Sequence, residues 1–176
     1  MIDICEISRG KVISKDYIRD NLGDYPVYSS QTENDGELGR ISTYIYDGEY
    51  ITWTTDGANA GSVFYRFGKF NITNVCGLLK IIDDNMLTKY VYYSLRCVAK
   101  EYVNSGMGNP KLMSNMVAKI KIPVPPLDEQ KRIVAILDRF DTLCNDLTSG
   151  LPAEIEARKK QYEYYRDKLL TFKEAV

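Results

Sequence analysis

The stretch Ile122-Pro123-Val124-Pro125-Pro126-Leu127-Asp128-Glu129-Gln130-Lys131-Arg132-Ile133-Val134 divides the chain into two parts of different character. Short β-prone runs and turn signals precede it, whereas a helical periodicity follows it. The two consecutive prolines interrupt regular structure, Asp128 can cap a helix, and Glu129 would lie in the first turn. We therefore expect one domain over residues 1–127 and a helical region over residues 128–176.

The helical region predicts two consecutive helices. An apolar stripe begins at Ile133, Ser149-Gly150 ends the first helix, and Pro152 suits the first turn of the second. The residues predicted to form an assembly surface are Ile133, Leu137, Phe140, Leu147, Ile155, Tyr162, Tyr165, Leu169 and Phe172. This stripe could pack on the preceding domain. The length of the second helix instead favours a coiled-coil-type contact with another helix. That helix could belong to another molecule or to a pseudo-symmetric counterpart.

The preceding domain is predicted to be rich in β-structure. Five runs have strand character: Tyr25–Tyr28, Arg40–Tyr46, Tyr50–Thr54, Ser62–Phe67 and Cys76–Ile82. Turn signals stand between them at Asn34-Asp35-Gly36, Asp47-Gly48, Asp56-Gly57 and Gly68-Lys69. Helical periodicity occurs at Tyr17–Asn21 and Thr88–Val103, and Lys119–Val124 is typical of an edge strand. Together with the helical region, this pattern predicts an α+β fold.

Composition excludes several classes of protein. The chain has 176 residues, 44% of them hydrophobic, which is enough to form a core. It has no histidine, and its four cysteines are far apart, which argues against a zinc site and a Ser-His-Asp triad. No apolar run is long enough to span a bilayer, and no secretory signal is evident. Reduced cysteines in a cytoplasmic protein are the expectation. The net charge of −1 argues against a protein that coats DNA along its length.

Signatures of catalysis are also weak. The loop Asp56–Gly61 has two glycines but lacks the lysine of a nucleotide phosphate loop. Asn109-Pro110 lacks the second proline and the aromatic residue of the amino-methyltransferase element. Glu129-Gln130-Lys131 has the Glu-x-Lys spacing of many nucleases but opens a predicted helix. We therefore predict no catalytic residue, no metal site and no cofactor.

Fourteen tyrosines leave two interpretations open. The aromatic residues Tyr44, Tyr46, Tyr50, Trp53 and Tyr65 could stack on bases. Alternatively, they form the half-buried face of a sheet, where aromatic residues are favoured in any case. For any single one of these residues, we favour a position on the half-buried face of the sheet.

Three segments together resemble the specificity subunit of type I restriction–modification enzymes. They are Ile7–Lys11 leading to Tyr25–Ser30, then Tyr46–Ile51 with Thr54–Gly57 and Gly68–Phe70, and finally Ile122–Val134. The resemblance implies a target recognition domain that reads half of a split double-stranded DNA site. It also implies helices that fix the spacing of the half-sites and dock the methyltransferase subunits of a complex that contains restriction subunits.

The resemblance further implies a second recognition domain and a second helical region, which this sequence does not contain. A natural half-length subunit, a split-gene product and a fragment are all compatible with that difference. Two copies joined through the helices could rebuild the twofold shape and read a palindromic interrupted site.

Candidate DNA contacts lie in the turn-rich part. Hydroxyl, amide and basic side chains suit base edges and phosphates, and the candidates are Ser29, Ser30, Gln31, Asn34, Arg40, Thr54, Thr55, Asn59, Arg66, Lys69 and Lys111. Two alternatives to a DNA reader remain, a nucleic-acid-modifying enzyme and a non-DNA interaction module with a coiled-coil arm.

Overall fold

The computed structural model describes residues 4–106, 108–145 and 151–170. Its strands are β1 (Cys5–Arg9), β2 (Leu22–Tyr28), β3 (Glu37–Ile41), β4 (Tyr46–Thr54), β5 (Val63–Ile72) and β6 (Cys76–Ile81). Its helices are α1 (Lys15–Asp20), α2 (Thr88–Val98), α3 (Ser114–Val117), α4 (Leu127–Asn145) and α5 (Leu151–Leu170). Short 3-10 turns occupy Glu33–Gly36 and Ala99–Tyr102. The predicted α+β class is confirmed. None of the described helices is both long and apolar enough to cross a bilayer.

The six strands form one sheet in the order β1-β6-β4-β5-β2-β3. All neighbours are antiparallel except β2 and β5, which are parallel. The pairing of β1 with β6 continues past the end of β1 and reaches the turn between β5 and β6. The Gly10 amide donates to the carbonyl of Cys76 at 3.2 Å, and Lys11 forms a parallel bridge with Thr73.

Apolar side chains pack on both faces of this sheet. On one face, Trp53 is 2% exposed, and its indole N–H donates to the carbonyl of Leu112 at 2.9 Å. A Cβ added to Gly77 would lie only 2.1 Å from that indole, so the strand beside it needs glycine. On the other face, Phe70 and Ile72 pack with Cys76 and Leu78. Burial of this area supplies the main stabilising term of the domain.

Five local predictions are wrong. Arg40–Tyr46 is not one strand, since β3 ends at Ile41 and β4 begins at Tyr46. Asp47-Gly48 and Gly68-Lys69 are not turns, because they pair with each other within β4 and β5. Gly48 and Gly68 nevertheless have φ of 126° and 86°. Glycine is therefore favoured at both positions because the paired strands are kinked there. Lys119–Val124 forms no strand, because the chain after α3 continues in turns. Finally, α4 begins at Leu127, which places Asp128 in its first turn and not at its cap.

The first turn of α4 is attached to the β-rich domain by Gln130, which is 0% exposed. Its side-chain amide nitrogen donates to the carbonyls of Asn85 and Pro125, both at 2.9 Å. Its amide oxygen accepts from the Leu87 N–H at 3.0 Å. Every strong hydrogen-bonding position of this buried amide is therefore used except one lone pair. One compact unit accordingly extends to Arg132, and a second begins at Ile133.

Candidate functional site

Polar residues from four parts of the chain meet around the turn between β5 and β6. We call this group the turn cluster, and its members are Arg9, Lys11, Thr55, Asp56, Asn74 and Lys111. One guanidinium nitrogen of Arg9 donates to the carbonyl of Asn74 at 2.8 Å and to the Thr55 hydroxyl at 3.0 Å. Arg9 is thereby held in place while its side chain remains 36% exposed.

Asp56 lies between two cations of the turn cluster. Its carboxylate is 3.6 Å from the Arg9 guanidinium and 3.8 Å from the Lys111 ammonium group. It also accepts a 2.6 Å hydrogen bond from the Thr55 hydroxyl. Arg9 and Lys111 therefore flank one carboxylate, and Lys11, two residues after Arg9, is exposed, so cations outnumber carboxylates among the members of the turn cluster.

Two glycine-containing loops are joined beside the turn cluster. The Gly57 N–H donates to the carbonyl of Pro110 at 3.0 Å, and Asn104 and Lys111 exchange backbone hydrogen bonds of 2.9 and 3.0 Å. An open cleft of about 240 Å³ is lined by Asn104, Gly106, Gly108, Asn109 and Lys111. An added Cβ at Gly57 or Gly108 would contact nothing within 4 Å. The backbone is therefore accessible to a large ligand.

The Ser29–Gly36 loop is linked to the turn cluster through the β5–β6 turn. The Thr73 hydroxyl donates to that of Ser29 at 3.2 Å, and the Thr73 N–H donates to the carbonyl of Tyr28 at 2.9 Å. The Gln31 amide donates to the Glu37 carbonyl across the loop. Ser30 is half-buried and Asn34 is exposed. The predicted candidates Ser29, Ser30, Gln31 and Asn34 thus share a loop that is closed by its own hydrogen bonds.

Arg66 holds this loop from beneath and is not an exposed contact. Its guanidinium lies 3.6 Å from the centre of the Tyr28 ring and 4.6 Å from that of Phe64. It donates to the Asp35 carbonyl at 2.6 Å and to the Thr52 hydroxyl at 3.2 Å, and it forms an ion pair with the Asp35 carboxylate. Its side chain is 2% exposed. The arginine predicted from sequence as a DNA contact is therefore enclosed by protein groups.

The remaining predicted residues are divided among three environments. Thr54 and Thr55 are 0% exposed, because they end β4 beneath the Asp56–Gly61 loop. Asn59 is exposed at the outer turn of that loop. Arg40 and Lys69 have other partners: Arg40 binds Glu37 at 2.8 Å, which raises the pKa of Arg40, and Lys69 lies 4.6 Å above the Tyr44 ring. Sequence reasoning missed Arg9 and Lys11, although two cations flanking Gly10 were the available signal.

The aromatic residues are mostly part of the sheet. Tyr46 and Tyr50 pack on Phe70 with ring centres 5.4 and 5.6 Å apart from it, and burial raises the pKa of Tyr46. Trp53 is in the core. The Tyr65 hydroxyl donates to Glu49 at 2.6 Å, while Tyr44 is 41% exposed and contacts Tyr25. The half-buried interpretation therefore describes Tyr46 and Tyr50, whereas Tyr44 remains accessible.

The predicted assembly residues are placed only in part. Phe140 and Ile155 are each 60% exposed, Tyr162 is 66% exposed and Tyr165 is 52% exposed. Ile133 and Leu137 are half-buried. Leu147, Phe172 and the side chain of Leu169 lie outside the described part of the chain. The helices consequently present large apolar and aromatic groups to solvent.

Comparison with known proteins gives a consistent result. A family model described as the type I restriction modification DNA specificity domain matches residues 2–157. The MpnII type I restriction enzyme specificity subunit of Mycoplasma pneumoniae is 51% identical over 170 residues, which are 97% of this chain and 51% of that protein. S.MpnORF365P of the same organism is 51% identical over 170 residues, 97% of this chain and 63% of its own length.

The fold matches solved structures as well. The crystal structure of a type I restriction–modification S subunit from M. genitalium superposes with a TM-score of 0.68 at 20% identity, covering 98% of this chain and 45% of that one. The chain thus spans between about half and two-thirds of the length of the two M. pneumoniae relatives.

Proposed function

From the premise that this chain belongs to the type I restriction–modification DNA specificity family, we propose that its first unit reads one part of a bipartite double-stranded DNA site. In this proposal the chain is a recognition subunit and not the catalyst. It acts with methyltransferase and restriction subunits, which carry out the chemistry on DNA in the cytoplasm.

The observation that carries the proposal is the meeting of the turn cluster and the Ser29–Gly36 loop at the β5–β6 turn. Cations suit phosphates, which fix position on the duplex, whereas amides and hydroxyls suit base edges, which carry the sequence. We propose that Arg9, Lys11 and Lys111 contact phosphates. We propose that base edges are read by Ser29, Ser30, Gln31, Asn34 and Asn59.

Three residues of the original set take a different role in this proposal. Thr54, Thr55 and Arg66 are buried, and we propose that they hold the neighbouring loops in shape. Arg40 is paired with Glu37 and Lys69 lies above Tyr44, and we propose that both contact DNA only at the border of the interface.

We further propose that the helices join this unit to a second recognition unit and dock the methyltransferase subunits. Exposed large apolar side chains on α4 and α5 support this role, because groups of this kind are often covered by a partner. Two copies of the chain would form a homodimer with twofold symmetry.

Self-association is tested by sedimentation of Phe140→Glu against Thr142→Glu, which adds the same charge to the same helix. We expect the wild type and Thr142→Glu to sediment as dimers at micromolar concentration and Phe140→Glu to sediment as a monomer. A monomeric wild type would contradict the homodimer without affecting DNA recognition.

The DNA role is tested by titrating a fluorescent duplex with the full chain, alone and with methyltransferase subunits, at several salt concentrations. Replacing Lys111 by Gln should weaken binding to all sequences alike and make the salt dependence shallower by roughly 0.9 in the logarithmic slope, the value for one phosphate contact. An unchanged slope would remove Lys111 from the interface.

A further inference from the structure

A second polar groove lies between the Ser29–Gly36 loop, the start of β5 and the end of α2. We call it the loop–helix groove, and it is open, with a volume of about 320 Å³. Its lining residues are Thr32, Gly61, Ser62, Val63, Phe64, Arg96 and Lys100. Neither cation of this groove belongs to the set expected from the sequence.

Beside the groove, the segment just before β5 closely approaches the chain just after α2. Gly61 has a φ of 82°, and an added Cβ would lie 2.8 Å from a methyl carbon of Val103 and 3.5 Å from the Cα of Lys100. Only glycine permits this approach without displacing Val103. The hydroxyl-bearing wall of the groove is thereby brought beside the helix that carries the cations.

The two cations lie on one side of the helix. Arg96 is in α2, and Lys100 follows four residues later in the adjoining 3-10 turn, a spacing that places side chains next to each other. The Arg96 guanidinium donates to the Tyr92 hydroxyl at 3.1 Å, which restrains its orientation. Both residues are exposed, so a ligand can reach them.

The opposite wall is fixed by the buried guanidinium beneath the loop. Arg66 packs on Phe64, which lines the groove, and binds Asp35 in the turn just after Thr32. The loop and the groove therefore share one anchor. A ligand bound in the groove would therefore have a fixed position relative to Gln31 and Asn34.

We propose that the loop–helix groove binds a phosphate of the DNA backbone next to the bases read by the Ser29–Gly36 loop. Two cations and two hydroxyl groups, those of Thr32 and Ser62, are suitable partners for a phosphodiester. This inference rests on the proposed function and adds a second set of phosphate contacts, which involves none of the cations of the turn cluster.

The test compares Arg96→Gln/Lys100→Gln with Lys119→Gln, an exposed lysine outside the groove, in titrations of a randomised duplex. We expect the double variant to bind at least about tenfold more weakly and its logarithmic salt slope to be shallower by roughly 1.8, for two contacts. Base preference should not change, because phosphate contacts carry no sequence information. Arg96→Lys with Lys100 retained should keep most of the slope.

The outcomes are distinguishable. If the wild type binds DNA and the double variant matches Lys119→Gln in affinity and slope, the groove is not a phosphate site, and the proposed function stands. If the double variant loses base preference but keeps its slope, the groove shapes the loop and does not bind phosphate. If the wild type binds no duplex even with methyltransferase subunits, the proposed function and this inference both fail.

Discussion

Arg66 is the residue whose role differs most between sequence and structure. An arginine beside turn-rich segments in a DNA-binding family predicts a phosphate or guanine contact, yet its guanidinium lies between Tyr28 and Phe64. The sequence around Arg66 does not reveal that its side chain is buried. The strand run Ser62–Phe67 does not reveal that Asp35, far away in the sequence, supplies a carbonyl and a carboxylate to Arg66.

The turn held by Arg66 has an unusual backbone. Asn34, Asp35 and Gly36 have φ of 48°, 55° and 80°, so three consecutive residues are left-handed, at a cost of roughly 1–2 kcal/mol for each non-glycine residue. Asn and Asp tolerate this region better than other residues, because their short side chains form local hydrogen bonds. The Arg66 contacts stabilise a conformation that the turn would not otherwise keep.

Removal of the two partners should have unequal effects. Asp35→Ala leaves a buried cation without its carboxylate and should cost about 3–5 kcal/mol. Arg66→Met leaves Asp35, which is 70% exposed in its side chain and can be solvated, so the loss should be smaller, about 1–3 kcal/mol. Denaturant unfolding measures both, with Glu33→Ala in the same turn as the control. Equal losses would mean that the ion pair is not the reason for the effect.

The buried cysteines predict a pH dependence. Burial raises the pKa of the Cys76 thiol from 9.0 to about 12 and that of Cys5 to about 11. Above pH 9, the unfolded chain loses thiol protons that the folded chain keeps, so the free energy of unfolding falls as the pH rises. We expect Cys76→Ala to be less stable near neutral pH but to lose stability less steeply between pH 9 and 11. Parallel profiles for the two proteins would contradict this assignment.

At the scale of secondary-structure elements, hydrophobic periodicity predicted the strands well, whereas glycine-containing turn signals were correct at some positions and wrong at others. The strand runs that became β2, β4, β5 and β6 were identifiable because each alternates or is continuously apolar. The glycine pair Gly48 and Gly68 looked like two turns because glycine marks any backbone of positive φ, including the kink of two long paired strands. Whether such a glycine forms a turn or a kink within a strand depends on the distant residues with which its segment pairs.

The predicted edge strand at Lys119–Val124 failed for a related reason. Alternation of lysine and isoleucine is as compatible with an irregular segment that buries every second residue as with a strand. Ile120 is 0% exposed and follows a turn in which its N–H donates to the Val117 carbonyl at 3.1 Å. The alternation therefore reports the burial of Ile120 and the partial burial of Ile122, although residues 119–124 do not form a strand.

Gln130 determines how α4 begins. Gln130→Leu should destabilise the first unit by about 1–3 kcal/mol, because the Leu87 N–H and the carbonyls of Asn85 and Pro125 would lose their hydrogen bonds to the buried amide in a partly buried site. The neighbouring exposed substitution Lys131→Ala should change stability by less than about 0.5 kcal/mol. Chemical denaturation provides the values. A neutral Gln130→Leu would show that the helix start needs no buried amide.

At the scale of the whole molecule, the family was recognisable from three separated segments, whereas the interface was not. The motif Leu127–Val134 is specific because its residues serve the fold: two of them, Leu127 and Gln130, lie half-buried or buried against the domain. The turn cluster depends on the pairing of β1 with β6, which places Arg9 opposite Gly77 and close to Asn74 in the preceding turn. No local sequence pattern reveals this pairing, because the two strands are far apart in the chain.

The central claim is that the described loops read a DNA sequence. The most direct test is selection of bound duplexes from a randomised pool by the full chain with its methyltransferase subunits, followed by sequencing, for the wild type and Asn34→Ala. The account predicts enrichment of one short motif by the wild type and relaxed preference at one position of that motif in the variant. Enrichment of no motif, or an Asn34→Ala profile identical to that of the wild type together with identical profiles for Gln31→Ala and Asn59→Ala, would contradict it.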